Sequence, residues 1–241
     1  MRRLVKRPNL PVATTQKLAV QTGLIVAGVS PKEMAAKLYM NARGTKWFAK
    51  VIDALRHWSG PGERCMYCSS SESSDVEHFQ PKAVYPDRAM NWENFLWSCG
   101  ICNSYKLNQF PDRLDEIFIN PAEENPWDFF YIDEYGNLAA KWSALHNKQH
   151  PRAVSTLGVA KIDRQAVQDS RRRRFSNLKQ QVKDSLALYD RGQLTKADLT
   201  QRLDDWLALP FQPDVADYFL NGPGAIEKPF RRFLEIARPA P

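Results

Sequence analysis

The chain has 241 residues, 43% of them hydrophobic and 25% charged, which suits an ordinary globular protein with one core, or a small module with appendages. Its longest notable apolar run, Leu24 to Val29, is far short of the roughly 20 residues a bilayer span needs, and no apolar stretch directly follows Arg2, Arg3, Lys6 and Arg7 as a secretory leader requires. We therefore expect a cytoplasmic protein without a membrane segment, whose net charge of +7 is divided into +9 over residues 1–59, −4 over 60–120 and +2 over 121–241.

The basic first third suits a phosphate backbone, where each neutralised phosphate releases counterions, or forms a solvated helix face. Residues 1–29 pass Pro8 and Pro11 and read as an arm with a short helix around Thr15–Thr22. Ser30-Pro31-Lys32-Glu33 then places a cap residue, a first-turn proline and a glutamate at the third position, the signature of a helix start. That helix is expected to run to about Met40 and break near Gly44. A second begins near Thr45, with Trp47 or Phe48, Val51, Leu55 and Trp58 on one apolar face, and Gly60-Pro61-Gly62 ends it.

The acidic middle, 60–120, holds all four cysteines as two pairs, Cys65-Met66-Tyr67-Cys68 and Cys99-Gly100-Ile101-Cys102. In a chain without an export signal, paired CxxC knuckles read as a tetrahedral zinc site rather than as disulfides. The interval between them is longer than in a zinc ribbon, so structure must lie inside it. From Asp75 to Val84 we expect a strand, a turn and the start of a second strand. From Cys99 to about Gln109 we expect a helix entered from the second knuckle and stopped by Pro111.

The final segment, 121–241, opens with a predicted hairpin over 127–141 turning through Asp133-Glu134-Tyr135-Gly136-Asn137. After Pro151 the pattern is helical. Phe175, Leu178, Val182, Leu186 and Tyr189 keep helical spacing within about Asp163–Tyr189, and Thr195 caps another helix before two short ones. The Arg171–Arg174 run covers a helix face or, on the reading we lean to, binds nucleic acid or a partner. His146 and His150, although spaced i, i+4, read as a surface turn ahead of Pro151. The aromatics at 127, 129, 130 and 131 read as core in preference to a base-stacking surface. The whole is therefore expected to be α+β, mainly α.

The residues with chemistry lie between and beside the cysteine pairs: Glu77-His78-Phe79-Gln80-Pro81-Lys82, then Asn91-Trp92-Glu93-Asn94-Phe95-Leu96, then Asn103 and Lys106 after Cys102. A zinc clamp brings Asn103 within reach of the Glu77-His78 strand. Carboxylate and amide oxygens are hard ligands suited to Mg²⁺ or Mn²⁺, and a histidine titrating near neutrality can accept a proton from water. Lys106, at i+3 from Asn103, either meets a phosphate or forms a salt bridge on the helix surface.

This combination resembles the HNH endonucleases of the ββα-metal class, nearest the PtuB-like HNH subunit of Septu and retron-linked anti-phage systems. The similarity is carried by Cys65–Phe110, more weakly beyond. The resemblance implies a treble-clef-like ββα module with structural Zn²⁺ on Cys65, Cys68, Cys99 and Cys102, and a hydrolase cutting phosphodiester bonds. It implies that His78 is the general base, that Asn103 and Glu77 hold the catalytic Mg²⁺ or Mn²⁺, and that Asn94, in preference to Asn91, shapes the hairpin. It also implies an ATPase partner, since this chain has no phosphate-binding loop of its own. Two positions depart from the pattern: Glu77 stands where many such enzymes carry Asp, and Asn103 where the HNH signature has His. DNA is the favoured substrate, with RNA possible through the same centre. The contrasting expectation is a non-catalytic treble-clef zinc module that binds nucleic acid or protein.

Overall fold

The computed structural model describes every residue except 3, 5, 70–72, 209–212, 224–226 and 239–241. It is an α+β, mainly α fold in which three N-terminal helices lead into a small two-stranded element, and longer helices follow. The first helix, α1 (Val12–Ala27), is longer than the short helix expected within the arm. No proline lies between Pro11 and Gly28, and the single glycine there, Gly23, costs about 1 kcal/mol, too little to stop the helix. Helices α2 (Pro31–Arg43) and α3 (Lys46–Trp58) match the expected pair. The Thr45 hydroxyl accepts the Phe48 amide at 3.3 Å, while Ser30 precedes Pro31 without making a side-chain cap bond. Phe48, Val51, Leu55 and Trp58 form the buried face of α3.

Strand β1 (Asp75–His78) pairs antiparallel with β2 (Phe95–Ser98), in the register Val76 opposite Trp97 and His78 opposite Phe95. The expected partner strand near Val84 is replaced by an irregular segment with short 3-10 turns at Pro86–Arg88 and Trp92–Asn94. Pro81 and Pro86 have no amide hydrogen to give a ladder, which moves the pairing partner to the Phe-Leu-Trp-Ser run, where all four residues are buried. Helix α4 (Gly100–Lys106) follows β2 directly and packs on β1, completing a ββα unit.

Strands β3 (Phe130–Ile132) and β4 (Leu138–Ala140) form the expected hairpin. Its turn is tied by Asp133, whose Oδ1 accepts the amides of Tyr135 and Asn137 at 3.0 and 2.7 Å. Gly136 is required there. Its φ is +87°, and a Cβ would stand 2.8 Å from the Cα of Arg172. A second small hairpin, β5 (Trp142–Ser143) with β6 (Lys148–Gln149), is too short to leave a periodic signal. His146 lies in its turn, with Nδ1 2.8 Å from the Ser143 hydroxyl, and His150 precedes α5 (Pro151–Ala160). Helices α6 (Gln165–Asp190), α7 (Lys196–Ala208), α8 (Pro213–Asn221) and α9 (Lys228–Ala237) complete the described chain.

Buried apolar residues from all three expected segments join one continuous core. The basic residues contribute to it in a way charge alone does not suggest. Arg7 lies over the Trp58 and Trp92 rings at 4.3 and 5.0 Å, and its Nη1 donates to the Trp92 and Phe95 carbonyls at 2.9 Å. Arg2 donates to the Ser59 carbonyl at 2.6 Å. These two arm cations therefore hold the arm on the core. Within the Arg171–Arg174 run, for which a binding role is expected, Arg171 and Arg174 are likewise taken up inside the fold, while Arg173 is exposed. Arg171 is fully buried against Asp214 at 3.1 Å, Arg174 meets the same carboxylate at 2.7 Å, and Arg172 donates to Asn137 Oδ1 at 2.8 Å. Burial of a charge requires a partner, and Asp214 on α8 supplies it.

Candidate metal centre and active cleft

The two knuckles converge. Cys65 and Cys68 sit in a tight turn whose Ser69 amide bonds to the Cys65 carbonyl at 2.8 Å, and the Met66 amide ties that turn to the Trp97 carbonyl at 2.9 Å. Cys99 caps α4, its Sγ accepting the Cys102 amide at 3.5 Å. All four thiols are buried and free of disulfides, and their sulfurs lie within 4.8 Å of one another. Sulfurs around a tetrahedral zinc with bonds of about 2.3 Å stand about 3.8 Å apart, and Cys68 Sγ and Cys99 Sγ are 4.0 Å apart. The donor set and spacing fit structural zinc. Among the described residues this is the one group of three or more histidine, cysteine or acidic side chains able to hold an ion. Arg164, just before α6, donates to Cys102 Sγ at 3.4 Å and to Cys68 Sγ at 3.8 Å. Its positive charge offsets the thiolates that a bound metal requires.

Beside this centre, the ends of β1 and α4 border a cleft of about 180 Å³ whose walls include Glu77, His78 and Asn103. The geometry of His78 defines its chemistry. Nε2 lies 2.9 Å from the Ala89 carbonyl, an oxygen that only accepts, so Nε2 carries the hydrogen and Nδ1 keeps a lone pair. The Tyr39 ring meets the imidazole edge-on at 4.6 Å, and Phe95 does so at 5.3 Å. Burial, reinforced by the positive charge of Lys82, pushes the His78 pKa down to about 3, so the ring is neutral at pH 7. Asn94 controls the loop that supplies Ala89. Its Oδ1 accepts the Gln80 amide at 2.8 Å, and its Nδ2 donates to the carbonyls of Gln80 and Arg88 at 2.9 and 3.0 Å.

The expectation for Lys106 requires a revision, because it is paired with Glu77. Lys106 is fully buried, its Nζ 2.7 Å from Glu77 Oε1 and 2.9 Å from the His78 carbonyl. It is neither a surface salt bridge nor a phosphate contact, because it faces β1 from beneath the cleft. Burial raises the Glu77 pKa while Lys106 pulls it down. Asn103 is half-buried, and its backbone is set in the first turn of α4 by a 3.0 Å bond from its amide to the Cys99 carbonyl.

The structure adds residues that sequence reasoning passed over. Tyr39 and Arg43, one turn apart on α2, and Asp75 at the start of β1 all line the cleft. The i, i+4 spacing of Tyr39 and Arg43 places them on one helix face, yet nothing local says that this face meets β1. Lys82 stands in the Glu-His-Phe-Gln-Pro-Lys run, where it drew no role of its own. Arg164 is separated from the cysteines by more than sixty residues of chain and has no sequence signal.

No family model matches the chain. Two curated relatives do match over part of their length. One, from Bacillus thuringiensis, is 40% identical over 77 residues, covering 30% of this chain and 29% of the relative. The other, from Bacillus mycoides (strain KBAB4), is 28% identical over 110 residues, covering 32% of this chain and 37% of the relative. Both are named Septu protein PtuB. The chain is similar to PtuB. The matched stretch covers about a third of each PtuB relative, so the similarity describes a segment and not a whole protein. Among the described residues, no helix is long and apolar enough to cross a membrane.

Proposed function

We propose that the chain is a PtuB-like HNH nuclease subunit of a Septu-type anti-phage defence system, hydrolysing phosphodiester bonds of nucleic acid, with DNA favoured. The observation that carries this reading is one constellation: a neutral, buried His78 with its Nδ1 lone pair kept, beside Asn103 and Glu77, on a ββα unit next to a four-cysteine centre.

In this reading His78 Nδ1 takes the proton of the attacking water. The Ala89 carbonyl holds the ring in the tautomer that leaves Nδ1 available, and Asn94 holds the loop carrying Ala89. A substrate phosphate entering the cleft raises the His78 pKa from its low value, because a nearby anion favours the imidazolium. Asn103 Oδ1 and the Glu77 oxygen not engaged by Lys106 are hard donors lining one cleft, and they would hold Mg²⁺ or Mn²⁺. A divalent ion held there would supply Lewis acidity for the attacking water and charge neutralisation at the phosphate. ATP handling falls to a separate ATPase subunit.

The test is cleavage of plasmid DNA and of total RNA with Mg²⁺, Mn²⁺ or EDTA, by the wild type and His78→Ala, alone and with the ATPase subunit. Metal-dependent cutting that His78→Ala loses, with zinc content kept, supports the nuclease and identifies its substrate. Cutting retained by His78→Ala refutes the mechanism. No cutting under any condition favours a zinc module that only binds.

A further inference from the structure

With Lys106 beneath the cleft, the cations that face into it are Arg43 and Lys82. They come from different elements: Arg43 from the last turn of α2, Lys82 from the loop after β1. Both lie near Tyr39. It is 3% exposed, its hydroxyl donates to the Val76 carbonyl at 3.0 Å, and its ring lies against His78. The Lys82 ammonium is 5.0 Å from the centre of that ring and the Arg43 guanidinium 5.9 Å. Both positive charges thus lie near one buried ring that also touches the histidine.

The anions nearby do not fully occupy these cations. Glu77 is taken up by Lys106, and Arg43 meets Asp75 through one 3.3 Å contact at side chains that are 44% and 32% exposed. Lys82 has no carboxylate within ion-pair distance among the described residues. Its pKa is lowered by burial, against the pull of Glu77, and the positive charges of Arg43 and Lys106 lower it further. A lysine in that environment is stabilised by an incoming anion.

We propose that Arg43 and Lys82 bind the phosphodiester backbone of the nucleic acid at the His78 cleft, so that α2, outside the cysteine-bounded module, forms one wall of the substrate site. The proposal rests on the nuclease reading above and assigns to these two residues the phosphate contact that Lys106 cannot make. Asp75 is displaced from Arg43, or shares it, when phosphate binds.

The test is binding in a cleavage-silent background. His78→Ala protein, with Arg43→Gln, Lys82→Gln or both, is titrated against fluorescein-labelled 20-base-pair DNA and a 20-nucleotide RNA by anisotropy across a salt series. Each substitution is expected to reduce the slope of log K against log salt by about one and to weaken binding several-fold at low salt. Arg113→Gln, an exposed arginine away from the cleft, leaves the slope unchanged. Arg43→Lys and Lys82→Arg preserve it. A merely structural role changes melting temperature and not the slope, so both are recorded. Unchanged slope and affinity in the double variant overturn the proposal. The two readings fail separately: a wild type that cuts while Arg43→Gln/Lys82→Gln cuts with unchanged KM and salt dependence refutes only this assignment, whereas a wild type that binds but never cuts refutes the nuclease.

Discussion

Replacing Lys106 with methionine removes an ammonium from a site with no solvent exposure and keeps most of the side-chain volume. The change leaves the Glu77 carboxylate, itself 4% exposed, without its 2.7 Å partner, and leaves the His78 carbonyl without its 2.9 Å donor. Breaking a buried ion pair by deleting one member costs roughly 3–5 kcal/mol. For a chain of this size, each kcal/mol is worth roughly 2–4 °C of melting temperature, so a loss on the order of 10 °C is expected. The pH dependence has a defined sign. Burial already raises the Glu77 pKa, and Lys106 opposes it. Without Lys106 the folded-state pKa rises further above its unfolded value, so the folded protein takes up a proton that the unfolded chain does not. The penalty is therefore largest at high pH and shrinks as the pH falls through the folded pKa. Pairing Lys106→Met with Glu77→Gln removes both charges and recovers most of the loss. What remains is the His78 carbonyl bond, worth about 1 kcal/mol. Circular-dichroism melts of wild type, both single variants and the double variant at pH 8 and pH 5.5, zinc-loaded and without added Mg²⁺, give the cycle. A Lys106→Met protein melting within 1–2 °C of wild type, or a double variant less stable than Lys106→Met alone, would refute the buried-pair reasoning.

Asn94→Ala removes three hydrogen bonds from the loop that presents Ala89 to His78, at a cost of about 3 kcal/mol measurable by urea denaturation. Asn94→Asp keeps the acceptor but sets a buried carboxylate oxygen against the Gln80 and Arg88 carbonyls, so at neutral pH it is expected to lose at least as much. Arg164→Gln takes a positive charge from beside Cys102 and Cys68, so zinc release to a chromogenic chelator should accelerate several-fold while the helical signal at rest is unchanged. Equal release rates from variant and wild type count against that role. Arg7→Ala removes the guanidinium between Trp58 and Trp92 and its carbonyl bonds, and limited trypsin digestion should then cut the first ten residues faster than in wild type.

The local features of this chain were legible from its residues. Cysteines at CxxC spacing place two sulfurs on one turn whatever surrounds them, and the structure brings both pairs together. Pro31, Thr45 and Gly44 mark helix limits because caps and breakers act within a turn, and Asp133-Glu134-Tyr135-Gly136-Asn137 makes a turn by its own side-chain bonds. His78 was recognisable as a candidate base from its neighbours in the chain, and the structure places it in the cleft with Asn103 and Glu77.

Tertiary structure decided what depends on residues far apart in sequence. The partner of β1 lies at Phe95–Ser98 and not near Val84, because pairing was settled by the burial of a distant apolar run against a strand whose nearer flank lacks donors. Lys106 and Arg171 read as surface charges until the carboxylates of Glu77 and Asp214 were found buried opposite them. Tyr39 and Arg43 joined the site only because α2 packs over β1, which no local period reports. A side chain's type and spacing determine what it can do. Its burial and its partner determine which of those things it does, and both are properties of the folded chain.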